Sequence, residues 1–244
     1  MPPAAIAIGS PRVHLRSTGS TNDRARELAS AGAPHGTLVT ASVQTAGRGR
    51  QGRRWSAPAN SSLLMSLVLR SPISAGPEPL LGLIAAVAVC DIAGAQAAIK
   101  WPNDVVLRRS SPAGPFAKLA GILAEGRPQE GWAVLGIGLN VAVRLEDLPP
   151  EPRAVAATLG RSPEEIEPAL EQLLAALQRR LAEPAEVILD AWRARDALHG
   201  HEIAWGAGRG RAQGIDGTGR LIVALAGGGH TTLDAGEVHL QPAG

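Results

Sequence analysis

Aromatic side chains are scarce in this chain: no tyrosine, one phenylalanine and five tryptophans among 244 residues. Surfaces that bind single-stranded nucleic acid by stacking need more rings than that. There is one cysteine, Cys90, which excludes an internal disulfide framework and fits a reducing, cytoplasmic setting. Net charge is only +2, so no global field draws the chain onto DNA or an acidic membrane. The N-terminus, "MPPAAIAIGSPRVHL", lacks a basic n-region and does not read as a signal peptide. Lysine is nearly absent too. Of 24 basic side chains two are lysines, Lys100 and Lys118, and the rest are arginines. An ammonium is a compact point charge where a guanidinium is a wide fork, so the positions of two surviving lysines matter.

What is present belongs to a globular chain: 45% hydrophobic and 19% charged residues. "RVHLRS" (12–17) predicts a strand, and Thr21 a helix N-cap with Gly32 as the stop. "TLVTASVQ" (37–44) and "SLLMSLVLR" (62–70) predict further strands. The run 77–99 is apolar on every side, but Asp91 sits inside it, two glycines interrupt it, and alanine dominates. A buried core helix is predicted rather than a membrane span. Strands are predicted around 99–101, 104–107, 118–125 and 131–143, a proline-rich connection at 144–155, and helices opened by Ser162–Pro163 and by Pro184. From His199 onward, short β-like runs alternate with glycine turns. The expected architecture is α+β: a mixed-sheet domain over 1–198 and a small C-terminal β-barrel over 199–244.

The segment "GRGRQGRRW" (47–55) has glycines at the spacing of a dinucleotide fingerprint. That fingerprint must open a helix and be followed by an acidic residue about twenty positions on. Here "RRWSAPANSS" follows, and the dinucleotide reading fails. As a nucleic-acid patch, four arginines meet at most about four phosphates, giving weak, salt-sensitive binding. What remains is a loop whose backbone amides and guanidiniums converge on carboxylate and phosphate. That combination suits acyl-adenylate chemistry. Four like charges would leave the empty loop floppy.

"STGSTN", "QTAGRGRQGRRW", "KWPNDV", "KLAGILAE" and "GIGLNV" occur in this order. The set resembles that of biotin–protein ligases, closely over roughly 16–143 and more loosely in the C-terminal module, whose barrel the resemblance makes SH3-like. The two lysines open two of these blocks. The resemblance implies a ligase that activates biotin with MgATP to biotinyl-5′-AMP and then transfers biotin to a lysine of a biotin carboxyl carrier protein or domain of an acyl-CoA carboxylase. It further implies Ser20, Thr21, Asn22 and Gln44 at the ureido head, and Gly47, Gly49, Gly121 and Gly136 as backbone around biotin. Arg48, Arg50 and Lys118 would be the catalytic cations. Arg53, Trp55, Lys100, Asn103, Asp104 and Asn140 would serve ATP, with Arg50 shared and Asp104 able to hold Mg²⁺ through water. No protein-held metal site is expected, since the six histidines show no such spacing; "HGH" (199–201) is placed at the domain junction. Repressor members of the family carry an N-terminal DNA-binding winged helix; barely a dozen residues precede the first strand here, so a short form without DNA binding is expected. A homodimer is among the oligomeric states left open. The 108–117 segment is longer and richer in proline than the family's short turn, and is expected to act as a flap near ATP. Lipoate–protein ligase and RG-loop nucleic-acid binding stand as alternatives.

Overall fold

The computed structural model describes residues 8–70, 78–109, 111, 114–206, 208–234 and 236–241. The proposed 108–117 flap lies partly outside them.

Strand β1 (Arg12–Leu15) crosses through helix α1 (Thr21–Ser30) into β2 (Leu38–Ala41), and β1 and β2 pair in parallel. The other strand pairings among the described residues are antiparallel. Strands β3 (Ser62–Arg70), β4 (Ala97–Lys100), β5 (Asp104–Arg108), β6 (Phe116–Arg127) and β7 (Trp132–Asn140) complete a sheet of order β1-β2-β3-β7-β6-β5-β4. Helix α1 covers one face with Ala25 and Ala29 against Val39, Val68 and Val134. It starts one residue earlier in register than its sequence signal: Ser20 takes the extended cap position and Thr21 is already helical. Neither side chain caps the helix; the Thr21 hydroxyl donates to Gln44 Oε1 instead.

The apolar run becomes helix α2 (Glu78–Ala93), ended by Gly94 at φ +87°, before the chain turns into β4. No helix among the described residues is long and apolar enough to cross a membrane. Helix α2 is apolar all round because it is covered on both sides, by the sheet and by helices α4 (Ile166–Leu181) and α5 (Ala185–Arg193). Asp91 is accommodated at its rim by Arg180 (2.8 and 2.9 Å) and Arg179 (2.7 Å). Burial alone would raise its carboxyl, but these two guanidiniums outweigh it and hold the group below the ordinary aspartate range. Ser162 and Glu165 form the capping box ahead of α4. The expected connection at 144–155 contains a short helix α3 (Pro150–Val155), since Pro150 in the first turn pre-sets a helical φ.

The C-terminal module comprises β8 (Glu202–Trp205), β9 (Gly208–Ile215), β10 (Leu221–Ala224), β11 (His230–Leu233) and β12 (His239–Leu240) in the order β11-β10-β9-β8-β12. This is an open antiparallel sheet, not the closed barrel expected: β11 and β12 are edges that do not pair among the described residues. Its apolar face is closed by the larger unit instead. Ile203, Ala212, Leu221, Val223 and Val238 share one apolar cluster with Trp101, Trp192 and Leu198. Trp101 Nε1 donates to Gly219 O at 3.1 Å across the junction. At the same junction His201 packs edge-on against Phe116.

Candidate active site

Cross-strand partners point to the same face of a sheet. One row therefore places Lys100, Asp104, Gly121 and Gly138 side by side across β4, β5, β6 and β7. A neighbouring row places Leu123, Gly136 and Ser66 together across β6, β7 and β3. Both lie on the face that α1 covers, and α1 begins at the second row. Beyond its N-terminus the three glycines leave bare backbone, and the 47–55 segment folds over it.

That segment is a small hairpin. Arg48 pairs with Arg54 across it, Gly49 N donates to Arg53 O (2.8 Å) and Trp55 N to Gly47 O (2.9 Å). Gln51 (φ 53°) and Gly52 (φ 74°) turn its tip. A Cβ on Gly47 would stand 2.4 Å from Trp55 O, so only glycine closes the base. The expected charge repulsion is relieved because three of the four guanidiniums have acceptors. Arg48 pairs with Asp23 (2.9 Å) and Glu125 (3.0 Å), Arg53 pairs with Glu237, and Arg54 donates to Thr45 O (2.7 Å). Arg50 has no ion-pair or hydrogen-bond partner among the described residues. Burial pulls its guanidinium below the ordinary value, and Asp104 opposes that shift.

Under the hairpin lies a cleft. Lys118 approaches Asp104 Oδ1 at 2.7 Å, outside hydrogen-bonding angles, so the contact is Coulombic. Its ammonium also sits 5.7 Å from the centre of the Trp55 ring. The Trp55 indole rests on the glycine floor: a Cβ on Gly138 would stand 2.6 Å from Cε2, and one on Gly121 3.0 Å from Cζ3. Trp55 Nε1 is buried there with no acceptor among the described residues.

The far wall is polar. Gln44 Oε1 accepts from Thr21 N (2.7 Å) and Thr21 Oγ1 (3.0 Å). Ser66 Oγ lies 2.8 Å from Thr21 Oγ1 and donates to Asn22 Oδ1 at 2.6 Å. Asn22 Nδ2 donates to Leu123 O (3.2 Å) and Glu125 Oε2 (2.9 Å). Any Cβ on Gly136 would stand 1.9 Å from Asn22 Oδ1. Asn22 is thereby committed to the wall, while the Ser20 hydroxyl and Gln44 Nε2 make no hydrogen bond among the described residues.

Of the residues singled out in the sequence, Ser20, Thr21, Asn22, Gln44, Arg48, Gly49, Arg50, Arg53, Trp55, Lys100, Asn103, Asp104, Lys118, Gly121 and Gly136 all line this one cleft. Two do not. Gly47 sits behind, at the hairpin base. Asn140 is buried, donating to Ala157 O (2.9 Å) and accepting from Ser62 Oγ (3.2 Å). Asn103 lines the cleft but also clamps β6, donating from Nδ2 to Ile122 O at 3.0 Å.

A family model described as the Biotin/lipoate A/B protein ligase family matches residues 14–141, and one for the biotin protein ligase C terminal domain matches residues 206–240. The chain belongs to the biotin/lipoate A/B protein ligase family. It is 34% identical over 244 residues to the biotin--[acetyl-CoA-carboxylase] ligase of Mycobacterium tuberculosis, covering 92% of this chain and 87% of that one. It is 38% identical over 162 residues to the bifunctional ligase/repressor BirA of Bacillus spizizenii, covering 64% of this chain. The match spans 48% of that relative, about half its length. The fold follows that of the Aquifex aeolicus biotin protein ligase solved in complex with biotin and ATP, with TM-score 0.79, 24% identity and coverage of 96% and 100%.

Gly138 and Glu125 lie inside the quoted blocks "GIGLNV" and "KLAGILAE" but were not singled out there, and Ser66 and Glu237 lie outside all five blocks. Gly138 lies two residues beyond Gly136 on the same strand, so alternation could have found it. Ser66 was signalled as a lone hydroxyl inside an apolar strand. Glu237 had no local signal, because it reaches the cleft by the packing of the C-terminal sheet.

Proposed function

We propose that this chain activates biotin with MgATP and transfers biotin to a lysine of a carrier protein or domain of an acyl-CoA carboxylase. The observation that carries this reading is the convergence, on one bare-backbone cleft, of two polar groups without a hydrogen bond among the described residues (the Ser20 hydroxyl and Gln44 Nε2) and three cations (Arg50, Lys100, Lys118). A biotin carboxylate oxygen attacks the α-phosphorus of ATP, the bond to the β-phosphate oxygen breaks, and pyrophosphate leaves. An acceptor lysine amine then attacks the acyl carbon, an amide forms and AMP leaves.

In this reading Ser20 and Gln44 Nε2 donate to the ureido head, with Thr21 holding the Gln44 carboxamide and Ser66 joining Thr21 to Asn22 behind it. The first step brings two anions together, and Arg50 and Lys118 offset their repulsion and stabilise charge developing on the phosphate. Lys100 and Asn103 face the nucleotide. Asp104 is held by Lys118 in the resting chain and gives up that cation when a phosphate competes for it. Mg²⁺ arrives with the nucleotide as part of the substrate, and the Asp104 carboxylate suits one of its water ligands. No strongly shifted base is required, since positioning and electrostatics carry both steps.

Pyrophosphate–ATP exchange by the purified chain, with biotin, lipoate or neither, tests this. Exchange only with biotin supports it. Exchange only with lipoate keeps the adenylation chemistry and overturns the substrate; no exchange with either overturns the reading.

A further inference from the structure

Behind the polar wall, four charged side chains alternate in sign, and the proposed chemistry does not use them. Arg48 Nη1 lies 2.9 Å from Asp23 Oδ1 and 3.0 Å from Glu125 Oε1. Arg26 pairs with the same two carboxylates, at 2.8 and 3.4 Å. Two guanidiniums and two carboxylates cancel, so Arg48 brings no spare charge to a bound anion. Glu125 also accepts from Asn22 Nδ2 at 2.9 Å. It therefore joins three things at once: the hairpin through Arg48, helix α1 through Arg26, and the polar wall through Asn22. Its side chain is 21% exposed against 41% for Asp23, so its grip on the guanidinium is the less screened of the two. Arg48 stands next to Gly49 and Arg50 and is bridged to Arg54, so fixing Arg48 fixes the arm that carries Arg50 over the cleft.

We infer that Glu125 is a positioning residue: through Arg48 it pins the 47–55 hairpin closed and sets how long a ligand beneath it stays bound. The identity of that ligand rests on the proposed function; the tether does not.

Two measurements separate them. The hairpin contains four arginines, so trypsin reports its opening without any substrate. Glu125→Gln keeps the volume and an acceptor for Asn22 while removing the charge. Cleavage after Arg50, Arg53 or Arg54 of the unliganded full chain, sites that the variants below all keep, is expected to rise about tenfold in this variant, as local opening becomes easier. Arg48→Gln should match it, and the double variant should open no faster than either single one, as expected for two residues of one interaction. Unchanged cleavage in both single variants, or additive effects in the double, overturns the tether. With biotin and MgATP, escape of the adenylate into solution should quicken about tenfold in Glu125→Gln, while its formation slows less than about threefold. A fall in formation with no added escape overturns the positioning role. A wild-type chain that forms no adenylate defeats the functional reading, and the trypsin comparison still decides the tether.

Discussion

The indole of Trp55 packs onto the bare backbone of Gly138, where a Cβ would stand 2.6 Å from its Cε2. A ring this close leaves no room for a side chain, and the same indole spans to Gly121 on the neighbouring strand. Gly138→Ala should evict it. Loss of that packing is expected to weaken biotin binding by about tenfold or more, roughly 1.4 kcal/mol. Calorimetric titration checks this, and an unchanged Kd would separate the ring from the ligand slot.

Arg50 is the hairpin guanidinium without a hydrogen-bond or ion-pair partner among the described residues, and burial already lowers its affinity for its proton. Arg50→Ala should slow biotin-dependent pyrophosphate exchange by about a hundredfold, the scale of removing one donor to a developing anion. Wild-type exchange in this variant would show that the charge serves something else.

Lys118 faces Asp104 and the Trp55 ring together. Lys118→Arg keeps the charge but replaces a point by a planar fork in a space where the Lys118 chain already lies 3.4 Å from the place of a Gly121 Cβ. Exchange should fall by about tenfold or more while the fold is kept, a split that steady-state rates and a melting curve measure together.

Trp101 is 2% exposed, and its Nε1 donates to Gly219 O in the C-terminal sheet. Trp101→Phe leaves that buried carbonyl unpaired, which costs about 1–3 kcal/mol. Urea denaturation should register the loss, and an unchanged midpoint would mean that water replaces the donor.

The turn carrying Gly219 is itself pH-sensitive. Burial alone would raise the Asp216 carboxyl, but hydrogen bonds from Thr218 and Arg220 outweigh it and bring the group to about 2. A depressed carboxyl stabilises the fold fully above its unfolded value of about 3.9 and loses that contribution as pH falls toward its folded value. The stability gap between the wild-type chain and Asp216→Asn should therefore shrink between about pH 4 and 2. A gap that stays constant across that range would mean that the carboxylate charge contributes nothing.

Much of the site was legible before folding because its chemistry is local. "GRGRQGRRW" announces a glycine-rich cationic loop, though not its hairpin pairing, "KWPND" and "KLAG" carry the two lysines, and the strand 62–70 was legible to the residue. The core helix expected over 77–99 was legible as an element, because Asp91 and Gly82 argued for a covered helix, but it ends at Ala93 and the run beyond Gly94 becomes β4. Other assignments depended on distance in sequence. Asn22 and Asn140 look alike as the carboxamides that end "STGSTN" and "GIGLN", yet one walls the cleft and the other is spent on Ala157 and Ser62. Arg48 and Arg50 are two residues apart and equally charged. Among the described residues the carboxylates at positions 23 and 125 pair with the first, while the second has no hydrogen-bond or ion-pair partner.

Periodicity, turn residues and charge were thus enough to indicate most of the elements and their order, since each depends on neighbours within a few positions. Which face of the sheet stays bare, which ring rests on it, and which cations keep their charge for a ligand were decided by tertiary structure. Those properties arise from cross-strand rows and ion pairs joining residues as much as 184 positions apart, as Arg53 and Glu237 are. The C-terminal sheet shows the same division: its strands follow from local alternation, but packing against the larger unit, not its own sequence, closes its apolar face.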